Sequence, residues 1–509
     1  MMWTQGLHRA AQQHPDGVAT VFGERRRTFR EQADRVARLA SGLRGLGVRD
    51  GTLVGVLALN SDRFADLLLA IPWAGGALNP FSVRWGINEI AYALDDSATT
   101  ILCVDDTFAP LVPALGGRLR TIVHIGDGAP PDGMIALEDL LRGAEPIEDA
   151  RRGGTDLAAL MYTGGTTGVP KGVLLSHETL SGAALATEVA EPTGRAGSRT
   201  LIASPMSHVS GMLASLLQTM FAGTQVIIPA FTPGAVLDAV ERHRVSHLFL
   251  VPSMLRQVLH QAEAGRDLSS IRHLMYGAAP ITEELLDRVR AQLPHVALQQ
   301  VYASTELALG TVLNSADHAE KSLLRSAGRA VVNREIRVEG PDGAALPPGE
   351  IGEVIARGPV MLGYWNKPDE TAYALRGGWL HTGDAGYLDE NGYLFLVDRI
   401  KDMIVTGGDN VYSTEVENAL AGHPAVAASA VIAVPDDDLG ERVHAVVVLR
   451  PGCTTDLAEL RSHCATLIAP YKWPRSCEFV ELLPLSPAGK PLKRELRSAH
   501  WPADGRQVN

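Results

Sequence analysis

Short apolar runs and longer helical repeats follow one another along most of this chain. Behind residues 28–31, which predict a capping box, apolar side chains recur at the spacing of an amphipathic helix. A buried strand is predicted over residues 52–59, and Ser61 and Asp62 then open a second helix. Other apolar runs predict strands over residues 100–104, 121–125, 200–203, 225–228, 248–251, 273–276 and 298–302. Strands that alternate with helices indicate an α/β fold built on parallel sheets.

The pattern changes twice toward the C-terminus. After about residue 330 the strands shorten and turn residues multiply, which predicts a small β-rich subdomain over residues 331–400. Beyond it, predicted strands at 443–449 and 478–483 and a predicted helix at 455–467 indicate a compact α+β domain. The sequence therefore predicts a large N-terminal domain over residues 1–400 and a small C-terminal domain over residues 401–509.

Composition and charge exclude several classes of protein. The 46 basic and 58 acidic residues of the 509-residue chain give a net charge of −12, which argues against a nucleic-acid-binding or anionic-membrane-binding protein. The four cysteines form no Cys-x-x-Cys pair, so neither a disulfide framework nor a zinc site is predicted. His243 and His247 stand four residues apart, but a strand is predicted to start between them, and they are interpreted as structural. With no signal-peptide pattern and no apolar run of ~18 residues, we expect a cytoplasmic protein without a membrane span.

The most informative segment joins two apolar runs and reads TGGTTGVPKG over residues 163–172. Its glycines allow backbone N–H groups to turn toward one point, its threonines add hydroxyl donors, and Lys171 adds a positive charge. It is not a Walker A loop, because Pro170 and Gly172 flank the lysine where that motif has Gly and Ser or Thr. The segment predicts a polyphosphate-binding loop. The predicted phosphate-binding residues are Thr163, Gly164, Gly165, Thr166, Thr167, Gly168 and Lys171.

This loop resembles the phosphate loop of the adenylate-forming superfamily, which includes acyl-CoA synthetases, amino-acid adenylation domains and beetle luciferases. Four more segments resemble that superfamily's motifs and follow in its order. They are residues 302–306 (YASTE), 378–384 (GWLHTGD), 398–402 (DRIKD) and 487–490 (PAGK). The resemblance implies a two-domain enzyme that joins a carboxylic acid to AMP from ATP, releases pyrophosphate, and passes the acyl group to a thiol.

The resemblance assigns catalytic roles to particular side chains. It implies that Lys490 bridges the acyl carboxylate and the α-phosphate, where a positive charge offsets the repulsion between two anions. It implies that Thr305 contacts the α-phosphate and that Glu306 holds Mg²⁺, an ion that takes one or two carboxylates and fills its shell with water and phosphate oxygens.

The resemblance also assigns residues to adenosine. Tyr302 is implied to stack on adenine, and Asp384 and Arg399 are implied to contact the ribose hydroxyls. The other residues implied to border the adenine are Gly277, Ala278, Ala279, Ala303 and Ser304. Gly277 and Tyr302 both end predicted parallel strands, where open α/β sheets bind ligands. Ala303 and Ser304 differ from the family's glycine and larger residue, which predicts a narrower site.

The second half-reaction explains the small C-terminal domain. By resemblance this domain rotates about a hinge at Lys401. The rotation moves Lys490 away from the phosphate and lets a thiol enter. Gly407 and Gly408 are implied to line the channel for a pantetheine arm, because their lack of side chains leaves room beside the backbone.

The acid and the acceptor are less strongly indicated. His208 and Met212 are implied to lie beside the acyl group, together with Gly277 and Ala278. Residues 192–237 contain no Asp or Glu to pair with a substrate ammonium, which argues against an α-amino acid and for a hydrophobic acid. A CoA ligase is favoured, and a stand-alone ligase for an acyl-carrier protein is the alternative. A luciferase-like oxygenase and a catalytically silent nucleotide-binding regulator are more distant ones. Oligomeric state is not indicated.

Overall fold

The computed structural model describes residues 1–163, 170–262, 265–279, 281–485 and 491–501. The strands are β1 (Val18–Phe22), β2 (Arg25–Thr28), β3 (Leu53–Leu57), β4 (Ala77–Pro80), β5 (Ile101–Val104), β6 (Thr121–His124), β7 (Ile135–Ala136), β8 (Leu157–Thr163), β9 (Lys171–Ser176), β10 (Arg199–Ile202), β11 (Thr224–Ile227), β12 (His247–Leu250), β13 (His273–Gly277), β14 (Ala297–Tyr302), β15 (Thr311–Leu313), β16 (Arg329–Ala330), β17 (Glu335–Glu339), β18 (Gly352–Arg357), β19 (Gly363–Tyr364), β20 (Leu380–Leu388), β21 (Leu394–Arg399), β22 (Ile404–Thr406), β23 (Asp409–Val411), β24 (Val426–Asp436), β25 (Gly440–Leu449) and β26 (Ser476–Phe479).

The α-helices include the three that the sequence predicts, with α13 shorter than its predicted range of 455–467. They are α1 (Gln5–Gln13), α2 (Phe29–Gly45), α3 (Asp62–Trp73), α4 (Ile87–Ser97), α5 (Leu137–Arg142), α6 (His177–Ala190), α7 (Val209–Met220), α8 (Pro233–His243), α9 (Pro252–Ala262), α10 (Glu283–Gln292), α11 (Pro368–Ala374), α12 (Ser413–Ala421), α13 (Leu457–Cys464) and α14 (Lys493–Ser498). Thr28 accepts the Glu31 backbone N–H and forms the predicted capping box, and Ser61 caps α3 by accepting the Phe64 N–H. None of the described helices is long and apolar enough to cross a membrane.

Two large sheets confirm the predicted α/β fold. One has the strand order β16-β15-β14-β13-β12-β10-β11-β1-β2, and its central strands from β14 to β1 are parallel. The other has the order β19-β9-β8-β4-β3-β5-β6-β7, with parallel pairing from β8 to β7 and antiparallel pairing of β8, β9 and β19. Parallel strands require crossover connections, and α-helices supply most of them in this chain.

The chain divides into two compact units. The first contains Met1–Ile336 and Ala356–Leu380, and the second contains Arg337–Ile355 and His381–Asn509. The β-rich segment predicted over residues 331–400 is thus shared between the units. The division predicted between residues 400 and 401 is a different kind of boundary, because it marks a point of domain rotation. That boundary stays a prediction.

The second unit is built on two smaller sheets. A four-stranded sheet has the order β17-β18-β20-β21, and a five-stranded sheet has the order β23-β22-β25-β24 with β26 pairing in parallel with β25. The strand predicted at 478–483 is wrong in its bounds, because β26 starts at Ser476, opposite His444, and ends at Phe479. The apolar pair Leu482–Leu483 suggested a longer strand, but Leu482 is 83% exposed and does not belong to the sheet.

Candidate active site

A hairpin in the eight-stranded sheet carries both ends of the predicted phosphate loop. β8 ends at Thr163 and β9 begins at Lys171, and these two residues are directly paired in the antiparallel register. The Thr163 hydroxyl lies 3.5 Å from the Lys171 carbonyl oxygen. The predicted residues Gly164, Gly165, Thr166, Thr167 and Gly168 lie outside the described residues. The sheet therefore fixes where the loop leaves and where it returns.

Lys171 is held by two side chains of a distant segment. Its ammonium forms an ion pair with Glu370 and lies 5.4 Å from the centre of the Tyr364 ring. The hydrogen bond from Lys171 lowers the pKa of the Glu370 carboxyl below its usual value. Lys171 thus begins β9 as an oriented cation.

Tyr364 connects this lysine to the predicted metal ligand. β19, which contains Tyr364, pairs with β9 and so lies beside Lys171. The Tyr364 hydroxyl donates a hydrogen bond of 3.1 Å to Glu306 Oε1, and the Met361 N–H donates one of 2.8 Å to the Glu306 carbonyl oxygen. Lys171, Tyr364 and Glu306, which we call the phosphate-side cluster, are therefore brought together in the first unit.

Glu306 and Thr305 lie in a tight turn that follows β14. The Ser304 hydroxyl accepts the Leu307 N–H at 3.1 Å, and the Ala308 N–H donates to the Ser304 carbonyl at 2.8 Å. Ala308 adopts a left-handed backbone conformation with φ of 59°, which closes the turn. Ser304 therefore has a local structural role, since it caps the turn that presents Thr305 and Glu306.

The predicted adenine-bordering residues follow two neighbouring parallel strands. Gly277 ends β13 and pairs with Val301 of β14. Tyr302, the next residue after Val301, ends β14. A Cβ on Gly277 would lie 2.3 Å from the Val301 carbonyl oxygen, so the strands' close approach requires glycine here. Ala278 then turns the chain with φ of 65°. Tyr302 is buried and 8% exposed, and Ala279 and Ala303 are half-buried.

His208 directly precedes α7, and Met212 lies one turn into that helix. His208 caps the helix, because its Nδ1 accepts the Ser210 N–H, and it is exposed rather than part of the core. Met212 is fully buried one turn later, and its N–H donates to the His208 carbonyl at 3.1 Å. The start of α7 therefore carries an exposed imidazole and, one turn later, a buried apolar side chain.

In the second unit, the predicted ribose-binding residues face each other across two strands. Asp384 of β20 and Arg399 of β21 are directly opposite in the antiparallel register, and Arg399 Nε lies 2.5 Å from Asp384 Oδ1. Asp384 is buried at 7% exposure, whereas the Arg399 side chain is 42% exposed. An ionised carboxylate keeps several acceptor sites, so Asp384 can bind this arginine and a hydroxyl together.

The hinge and thiol-channel candidates also lie in the second unit. Lys401 belongs to a single helical turn, Ile400–Asp402, whose Asp402 is ion-paired with Arg497 at 2.8 Å. Gly407 and Gly408 form the two-residue turn between β22 and β23, with φ of 61° and 91°. Two positive φ values are typical of the tight hairpin turns that favour glycine. Lys490 lies outside the described residues.

Comparison with known proteins decides the family. The chain matches the AMP-binding enzyme family over residues 7–365 and the AMP-binding enzyme C-terminal domain over residues 415–490. The chain belongs to the AMP-binding enzyme family. Feruloyl-CoA synthase of an Amycolatopsis species is 40% identical, with 97% of this chain and 99% of that relative covered.

Two further family members are similar over nearly their whole length. The fatty acid–[acyl-carrier-protein] ligase ScoC of Streptomyces coeruleorubidus is 35% identical and covers 100% of this chain and 98% of itself. The crystal structure of ATP-bound MatB from Rhodopseudomonas palustris has a TM-score of 0.88 at 30% identity and covers 97% of this chain and 98% of that one. The predicted family, α/β fold and AMP-forming acid:CoA ligase activity are confirmed, and ATP and CoA fit this family as substrates.

Three residues that hold the phosphate-side cluster in place were not predicted from the sequence. Tyr364 and Glu370 orient Glu306 and Lys171, as described above. Arg334 is buried at 6% exposure, and its Nη2 donates to the carbonyl oxygens of Leu307 at 3.3 Å and Pro359 at 2.6 Å. Burial lowers the pKa of the Arg334 guanidinium to about 10. Arg334 thereby joins the turn carrying Glu306 to the segment that leads to Tyr364.

Proposed function

We propose that this acid:CoA ligase activates a hydrophobic carboxylic acid with an uncharged body, and that aryl acids of the ferulic type are its first candidates. The observation that carries the proposal is the start of α7, where exposed His208 precedes buried Met212 by one turn in a stretch without Asp or Glu. A substrate ammonium would have no carboxylate partner from this stretch. The 40% identity with feruloyl-CoA synthase supports the aryl choice.

The phosphate-side cluster supports a role in ATP binding. Lys171 and the loop before it would contact the phosphates, and Thr305 would contact the α-phosphate. Glu306 fits a magnesium ion, because a carboxylate oriented by the Tyr364 hydroxyl offers the hard oxygen that Mg²⁺ prefers. Bound there, Mg²⁺ would neutralise part of the charge of the phosphates. Lys490 would then bridge the two reacting anions.

The remaining assignments follow the same resemblance. Tyr302 and the residues of the β13 turn would border adenine, and the Asp384–Arg399 pair would contact ribose. Lys401 would be the hinge, and the Gly407–Gly408 turn would border the pantetheine channel. A cytoplasmic location stays a prediction.

The experiment is pyrophosphate release with a panel of acids, each assayed with and without CoA. The panel contains ferulic acid, benzoic acid, octanoic acid and, as the charged-body control, phenylalanine. We expect release with at least one of the first three acids, faster turnover when CoA is present, and no release with phenylalanine. Release only with phenylalanine would contradict the proposed acid class. If no acid gave release, adenylation of these acids by the protein would be contradicted.

A second acceptor is favoured by one observation, the 35% identity with the acyl-carrier-protein ligase ScoC. CoA and a carrier protein present the same pantetheine thiol. Replacing CoA by a holo acyl-carrier protein at equal concentration separates the two. Faster thioester formation on the carrier protein would reverse our choice of CoA.

A further inference from the structure

A cluster of two histidines and one glutamate lies in the second unit and takes no part in the activity proposed above. It consists of His444 on β25, Glu478 on β26, and His500 just after α14. The ligand atoms of the three residues lie within 4.8 Å of one another. His444 Nε2 is 4.0 Å and His500 Nε2 is 3.9 Å from the same oxygen, Glu478 Oε1.

The sheet register explains why two of these groups meet. β25 and β26 are parallel neighbours, and His444 is paired with Ser476, two residues before Glu478. Because side chains alternate along a strand, Ser476 and Glu478 lie on one face of β26, the face that His444 shares. The next residue on that face of β25 is Val446, which belongs to a small apolar cluster with Leu496 of α14.

His500 lies in this cluster because the segment containing α14 is bound to other parts of the second unit. Lys493 forms an ion pair of 2.7 Å with Glu417, and Arg497 forms one of 2.8 Å with Asp402. The Trp501 indole N–H donates to the Ala433 carbonyl oxygen of β24 at 3.0 Å. These contacts hold His500 beside His444, with their ring centres 4.8 Å apart.

Both imidazoles carry an unsatisfied nitrogen. His444 Nε2 and His500 Nε2 are buried atoms, and neither has a hydrogen-bond partner among the described residues. His444 Nδ1 lies 2.8 Å from the Ser476 hydroxyl, and in the tautomer in which Nδ1 donates to that oxygen, Nε2 keeps its lone pair. The Arg442 side chain is also close, because its Nε donates to the Ser476 hydroxyl at 3.3 Å. The neighbouring Arg442 guanidinium is itself paired with Asp436 at 3.7 Å.

Two imidazole nitrogens without hydrogen-bond partners among the described residues lie near one carboxylate. Two histidines and one carboxylate are a set of ligands that suits Zn²⁺. We propose that His444 Nε2, His500 Nε2 and the Glu478 carboxylate bind one Zn²⁺ ion, with water as the fourth ligand. Ligand atoms around a tetrahedral Zn²⁺ lie roughly 3.3 Å apart, so each group must move inward by about 0.5 Å or slightly more. Glu478 and His500 can make this movement, because their side chains are 40% and 27% exposed. The ion would join the segment after α14 to the five-stranded sheet.

The test uses the full chain after removal of bound metal. Zinc content is measured by equilibrium dialysis against a competing chelator, for the wild type, His500→Ala and Glu478→Gln. We expect one zinc equivalent in the wild type and an affinity at least ~100-fold weaker in both variants, since even outer-shell partners change metal affinity 10–100-fold. His423→Ala is the matched control and should keep the wild-type affinity. Its ring lies 5.2 Å from His463, but this pair belongs to no ligand group among the described residues.

A second measurement separates metal binding from damage to the fold. In chelator, the wild type and Glu478→Gln should unfold at similar temperatures. Added Zn²⁺ should raise the unfolding temperature of the wild type only, and the same concentration of Mg²⁺ should not, because imidazole nitrogen is a poor ligand for that ion. The proposal stands only if both ligand variants lose the zinc equivalent. A wild type that binds no zinc, or a variant that retains it, would overturn it.

Discussion

The phosphate-side cluster and the Gly407–Gly408 turn are two candidate regions built in different ways. Lys171, Tyr364 and Glu306 lie at strand ends of large sheets or beside them, and each is held by a side chain or backbone group from a distant segment. The glycine turn joins two three-residue strands, and Gly408 has open space where a side chain would be. Under the proposed assignments, the first region would hold the phosphates with positioned groups, whereas the second would leave bare backbone beside the pantetheine arm.

The difference predicts how substitutions divide between the two half-reactions. Changes to residues that contact ATP should impair adenylation, because the transition state needs positioned charge. Changes at the glycine turn should impair only the thiol step. Four substitutions test this comparison. Three are assayed for adenylation by pyrophosphate release and for the thiol step, and Asp384→Asn is assayed by its KM for ATP.

The largest effect is expected for Lys490→Ala. Losing the ammonium between two anions should slow adenylation by roughly 10²- to 10³-fold, the cost of one positioned transition-state donor. Thiol transfer from preformed adenylate should change little. Arg494→Ala, an exposed cation four residues later, is the control and should leave both steps intact. Equal losses in both half-reactions would refute the role assigned to Lys490.

Gly408→Leu should reverse that pattern. A leucine would fill the open space beside the turn and slow thioester formation by about 10²-fold, a loss of roughly 3 kcal/mol of transition-state stabilisation. Adenylation should remain. Because Gly408 has φ of 91°, any side chain adds strain, and Gly452→Leu, at φ of 78° and also in open space, controls for it. If both glycine variants lose CoA turnover equally, the turn is structural and does not border the channel.

Asp384→Asn should weaken ATP binding about tenfold, because hydrogen bonds to a charged group contribute about 1.5–3 kcal/mol. The measurement compares KM for ATP and 2′-deoxy-ATP. The wild type should discriminate against the deoxy nucleotide, and the variant should discriminate less. Asp389→Asn, in the turn after β20, is the control, since Asp389 accepts only local backbone N–H groups among the described residues. Unchanged discrimination in Asp384→Asn would remove Asp384 from the ribose site.

Local pattern predicted the parts of this site that depend on neighbouring residues. Two apolar runs around a short loop located the phosphate segment, and parallel strands located Gly277 and Tyr302 at strand ends, but the pairing of Thr163 with Lys171 came from the structure. Tyr364 could not be predicted, because it is 58 residues from Glu306 and reaches it only through the pairing of β19 with β9. Arg334 was missed for a different reason, because it contacts backbone carbonyl oxygens, and every residue type has one. Asp384 and Arg399 were predicted by resemblance, but their ion pair required the register.

Tyr364→Phe should give the smallest effect and the sharpest view of the phosphate-side cluster. The ring stays beside Lys171, and only the hydroxyl that orients Glu306 is lost. A neutral hydrogen bond contributes about 0.5–1.5 kcal/mol, so kcat/KM for adenylation should fall roughly 2- to 10-fold. The Mg²⁺ concentration needed for half-maximal rate should rise, while thiol transfer from preformed adenylate stays constant. Tyr373→Phe, at a tyrosine that is 71% exposed, should change neither quantity. A rate loss without any change in the Mg²⁺ requirement would show that Tyr364 supports packing rather than the orientation of Glu306.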